Sequence, residues 1–233
     1  MLLVCIVGGL LAALAINYLA DVLPATRRLA KPQWMDPGGF AAYVRRTRVQ
    51  IVFILGAIAG AAFCAYPPPD MHVLLLAYVL FYFGLVAVID IEHLVVMHPV
   101  SFVGAITLAA VGLTRHDAYS TLVGGAAGFL FMLAIYFAGD LMGRMLSKMR
   151  GQAWEETALG FGDVNLAGVI GLLMGWPGAI AALFVGMLTA AVFSAGYLLI
   201  TFARGNYKAF ASIPYAPFLC LGAVLMVLVG VYT

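Results

Sequence analysis

Two carboxylates in this sequence stand where an acid is costly. Asp163 heads the apolar run "FGDVNLAGVIGLLMGW", with Gly160 and Gly162 close before it, and Asp90 closes the apolar run "GLVAVIDIEHL". An ionisable side chain at membrane depth carries a large desolvation penalty, so its presence there points to function. Two aspartates sharing one proton can hydrolyse a peptide bond: the ionised one takes a proton from water while the protonated one polarises the carbonyl. A helix N-terminus carries positive partial charge and a C-terminus negative. Asp163 is therefore the readier base and Asp90 the readier acid, the proton belonging to the pair. Gly160 and Gly162 remove side chains beside Asp163, so an extended peptide strand can approach it. The same glycines equally suit close packing between helices.

The elements that hold these acids are read from hydropathy. The chain has 233 residues, of which 65% are hydrophobic and 9% charged. That composition excludes an ordinary soluble domain and indicates an all-α, polytopic membrane protein whose main partner is the lipid bilayer. A net charge of +2 with no basic-aromatic groove gives no sign of nucleic-acid binding. Apolar segments lie near 2–23, 50–66, 72–90, 98–114, 119–139, 160–176, 178–203 and 213–232, predicting about eight transmembrane helices. The first lacks a basic leader and cleavage site and reads as a retained helix. Residues 1–233 read as one transmembrane domain, interrupted by a basic loop at 24–49.

Basic residues fix the orientation. All of the 12 Lys and Arg residues except Arg115 fall in odd-numbered loops: Arg27, Arg28, Lys31, Arg45, Arg46, Arg48, Arg144, Lys148, Arg150, Arg204 and Lys208. Positive loops remain on the cytoplasmic side, so both termini are expected outside. The third segment then runs inward and the sixth outward. Asp90 and Asp163, 73 positions apart, are both expected at the cytoplasmic face of a prokaryotic plasma membrane.

Other residues compete with these acids for a chemical role. Asp140, in "FAGDLMG", ends the fifth segment at the same expected level, but Arg144 four residues on suits a helical ion pair. His93, His98 and Glu92 do not share one helical face and make a poor zinc site, so no metal and no cofactor is expected. Cys5, Cys64 and Cys220 lie in separate apolar segments with no CxxC pair. A proton- or cation-coupled transporter using the same carboxylates is the alternative from another class. It would be expected to carry its acids near the bilayer midplane, on broken helices.

Four stretches also carry a family resemblance. "GFGD" at 160–163 resembles the GxGD motif of membrane aspartyl proteases, and "DVNLAGVIGLLMGW" continues it as in the type IV prepilin peptidases. "AVIDIEH" at 87–93 resembles that family's first aspartate segment, "IPYAPFLCLGA" at 213–223 its late proline run, and "NYLADVLP" at 17–24 its N-terminal spacing. The resemblance implies an aspartic endopeptidase, with a GxGD protease-like helix bundle, that cleaves the basic leader from prepilins or pseudopilins without a metal. It carries Asp90 and Asp163 over as the catalytic pair and sets Gly160, Gly162, Pro214 and Pro217 along the substrate. Glu92, with Glu155 and Glu156, is an acid that could receive the basic leader. Two departures stand out: "LVVMHPV" has Met97 and His98 where the family usually has Pro-Asp or Pro-Asn, and the 24–49 loop has no cysteine. Peptidase activity without N-methyltransferase activity is what this short form implies.

Overall fold

The structure, a computed structural model, describes residues 2–26, 29, 39–65, 72–150, 159–205 and 213–230. Every regular element among them is an α-helix: α1 (Leu2–Thr26), α2 (Gly39–Val44), α3 (Thr47–Ala65), α4 (Val73–His93), α5 (His98–Leu113), α6 (Ala118–Arg150), α7 (Phe161–Met174), α8 (Gly178–Ala203) and α9 (Ala216–Val229). The eight apolar segments return as α1 and α3 to α9, and the break at 24–49 holds the short α2. Glu155 and Glu156 lie outside the described residues.

The largest departure from the expected boundaries is α6, which runs 33 residues rather than ending at 139. Beyond Gly139 the hydropathy falls, but "DLMGRMLSKMR" consists largely of strong helix formers. The Asp140–Arg144 pair, at 2.8 Å, adds an i,i+4 bond across the point where apolarity ends. Helix propensity, not greasiness, carries the element onward.

Among the described residues, four helices are long and apolar enough to cross a membrane: Leu2–Thr26, Val73–His93, Ala118–Met145 and Gly178–Ala203. Four shorter apolar stretches accompany them, Thr47–Ala62, His98–Leu113, Phe161–Met174 and Ala216–Val229. The architecture is that of a polytopic membrane helix bundle.

The chain divides into two compact units, Met1–His93 and Leu94–Thr233. In the first, α1 packs on α3 and α4. Glycines let the α1 and α3 backbones touch: a methyl group on Gly9 would strike the Gly56 carbonyl, and one on Gly60 the Cys5 carbonyl. Small residues are the usual means of close helix approach where lipid removes the hydrophobic drive for association.

In the second unit α7 is the hub, packed by α5, α6, α8 and α9. Its buried residues run round the whole helix, from Asp163 through Leu166, Ala167 and Ile170 to Met174. A helix apolar on all sides is a core helix. The α6–α7 seam is again built of small residues: methyl groups on Gly124 and Gly128 would strike the backbones of Gly171 and Ala167 respectively. At the far end of α7, Gly175 adopts φ 63°, and Trp176 N–H donates to Ser120 Oγ at 3.0 Å, tying that end to the start of α6.

Candidate active site

Asp163 is the third residue of α7, and its side chain is buried, the residue being 8% exposed. Gly160 caps the helix in an extended conformation (φ −74°, ψ 141°) and accepts the Asp163 N–H at 3.1 Å. The first turn of a helix has N–H groups without intrahelical acceptors and a positive end charge, which suits a carboxylate at this position.

The two glycines of the motif turn out to have different neighbours. A methyl group on Gly160 would lie 3.4 Å from Asp163 Oδ2, an ordinary contact directly over the acid. One on Gly162 would lie 2.7 Å from both Cβ and O of Val96. Gly162 thus lets α7 pack on the 94–97 segment, while Gly160 leaves the carboxylate uncovered on its own side. Phe161, between them, packs its ring against Phe129 and Tyr136 of α6 and His98 of α5, with centroids 5.9–6.4 Å apart.

Pro214 lies in the short segment before α9, and Pro217 is in its first turn, where a missing N–H costs nothing. Tyr215 lies between them. It stands immediately before the first helical residue of α9 and is half-buried. The helix it opens, α9, packs on α7, which carries Asp163. The late proline run therefore begins a helix that packs on the one bearing Asp163, a neighbour that the sequence alone did not single out.

A cavity of about 460 Å³ also lies in this unit, lined by residues of α5, α6 and α7 including Ser101, Phe102, Phe129 and Leu172. His98 Nδ1 and Asn165 Nδ2 meet at 3.0 Å at its polar end. Asn165 follows Asp163 by two residues, about 200° round the helix, so the cavity flanks the opposite side of α7.

Asp90 and Glu92 belong to the first unit. Asp90 sits in the last turn of α4, 4% exposed, beside the buried Val86 and Ile89. Glu92 accepts a hydrogen bond from Arg48 Nη1 at 2.6 Å, and Arg48 Nη2 donates to Asp21 Oδ1 at 2.9 Å. Tyr43, in α2, joins the group: its pKa is pushed up to about 12 by burial first and by its hydrogen bond to Asp21 second. The sequence sets Arg48 in a basic loop and Asp21 near a helix end, with nothing that pairs the two. The available signal was the spacing of Arg48 four residues before Val52, a buried position on the same helical face. Right after α4, Leu94 is left-handed at φ 52°, a conformation L-residues rarely adopt.

Comparison with known proteins bears on all of this. The profile of the Type IV leader peptidase family matches residues 74–195. A prepilin leader peptidase/N-methyltransferase of Bacillus subtilis (strain 168) is 29% identical over 148 residues, covering 63% of this chain and 52% of that protein. One of Aeromonas salmonicida (strain A449), with the same description, is 26% identical over 109 residues, covering 47% of this chain and 32% of that protein. The chain thus spans about half of the first relative's length and about a third of the second's. No solved structure matches it.

Proposed function

Because the chain belongs to the Type IV leader peptidase family, we propose that it is a membrane aspartic endopeptidase. It removes the basic leader from type IV prepilins or pseudopilins. The observation that carries this reading is Asp163, a buried carboxylate at a helix N-terminus inside the matched region, left uncovered by Gly160. Asp90, inside the same region and buried in the last turn of α4, is its proposed partner. The pair shares one proton: the ionised member takes a proton from water, and the protonated member polarises the scissile carbonyl. The reaction requires only these two groups and water, so no cofactor is assigned.

Gly160 admits the substrate strand beside Asp163, with Gly162 holding the α7 start in place and Pro214 and Pro217 shaping the opposite wall. Glu92 keeps part of its surface for a basic leader residue beside its bond to Arg48. The distribution of basic residues supports an active site that faces the cytoplasm, in a chain whose residues 1–233 act as one peptidase domain.

The test is co-expression with a prepilin and separation of precursor from product. Asp90→Asn and Asp163→Asn should each slow leader removal about 100-fold or more, the scale expected for losing a general acid or base. Asp140→Asn should process normally, since Asp140 pairs with Arg144 on the helix surface. Full processing by either of the first two variants would end the assignment.

A further inference from the structure

We propose that Arg48 is a positioning residue for Asp90, tying the last turn of α4 to α1 through Glu92 and Asp21. The inference rests on the reading of Asp90 as a catalytic acid. Among the basic residues of the 24–49 break, Arg48 is turned inward, its side chain 12% exposed and that of Asp21 1%. Both arms of its guanidinium are engaged, one on each helix, at 2.6 Å to Glu92 and 2.9 Å to Asp21. The planar fork of arginine fixes direction as well as charge, so the two bonds set how far α4 stands from α1.

The tie falls where a helix is weakest. The last turn of α4 has carbonyls without intrahelical donors, and helix ends fray. Glu92 follows Asp90 by two residues, about 3 Å along the axis and about 200° round it. Arg48 therefore grips the opposite side of the turn that carries Asp90. Just beyond it, Leu94 holds a left-handed conformation that neighbouring structure must sustain. A catalytic carboxylate displaced by about 1 Å loses on the order of 100-fold in rate. A fraying turn would give at least that displacement.

The experiment compares wild type, Arg48→Lys and the double variant Asp21→Asn/Arg48→Gln as full-length protein in detergent. Leader removal from a purified prepilin gives kcat and KM, and hydrogen exchange follows backbone amides 86–93. The double variant removes one positive and one negative charge together, so the cluster keeps its net charge, and the carboxylate left without its cation is Glu92, the more exposed of the two. Asp140→Asn/Arg144→Gln, which breaks an ion pair elsewhere, is the control and should leave activity and exchange unchanged.

The expected result is a graded fall in kcat, about tenfold for Arg48→Lys and up to about 100-fold for the double variant, with KM within twofold. Exchange at 86–93 should rise while that of α5–α9 remains as in wild type, which global misfolding would not produce. Wild-type kcat with wild-type exchange in the double variant would overturn the proposal. So would a rise in KM with kcat untouched, which would make Arg48 and Asp21 part of the leader contact assigned to Glu92 rather than a brace for Asp90. Undiminished processing by Asp90→Asn would instead sink the reading of Asp90, a result separable from the exchange measurement.

Discussion

At the scale of single residues, the GxGD glycines separate stability from catalysis. Gly162→Ala forces a methyl group against Val96 and should destabilise the protein by about 1–3 kcal/mol, read as a lower midpoint of thermal unfolding in detergent. Gly160→Ala meets Asp163 Oδ2 at contact distance only, so the fold should hold while prepilin cleavage falls. A second residue-scale expectation concerns alkaline pH. Tyr43 ionises near 10 in the unfolded chain and near 12 in the folded one. Folding then favours its neutral form: the stabilisation is intact below pH 10 and is lost as pH rises from 10 to about 12. Tyr43→Phe should remove that portion of the alkaline decline, measured by thermal unfolding across the same range.

At the scale of elements, the two glycine seams follow the same arithmetic. Gly9 meets Gly56 and Cys5 meets Gly60 across α1 and α3; Gly124 meets Gly171 and Gly128 meets Ala167 across α6 and α7. Each is an antiparallel contact repeating every four residues, one helical turn. Gly171→Ala should therefore damage the α7 hub more than Ala179→Gly, which removes a buried methyl group at the start of α8 without a backbone clash. Loss of monodispersity on gel filtration is the measure. Much of this level was legible beforehand. Apolar runs marked the eight long elements, since lipid-exposed backbone must be helical, and Asp163 stood at the head of α7 as its pattern indicated. The end of α6 was not legible from hydropathy, because Leu, Met, Arg and Lys continue a helix regardless of polarity. Nor was Arg48: in "RRTRV" its neighbours look equally basic, and only the meeting of α1, α3 and α4 supplies its two carboxylates.

At the scale of the molecule, the chain is a membrane protein of a known family, and its length against the bilayer becomes the governing quantity. At 1.5 Å per residue α7 is about 21 Å long, short of a hydrocarbon layer of about 30 Å. Its ends remain tolerable because neighbouring helices enclose it. α6 is about 50 Å long and overshoots the same layer by about 20 Å. With basic residues inside, Met145→Cys on the overshoot should react with a membrane-impermeant maleimide only from the cytoplasmic side of sealed vesicles; labelling from the other side would reverse the proposed topology. The overshoot also governs vertical play. The overshoot carries Asp140, Arg144, Lys148 and Arg150 in succession, so sliding α6 outward would draw one polar group after another toward oil, and sliding it inward would pull greasy turns into water. Since α7 is locked to α6 backbone against backbone, Asp163 inherits that fixed draught, and under the proposed function α6 gauges the depth at which a leader would be cut.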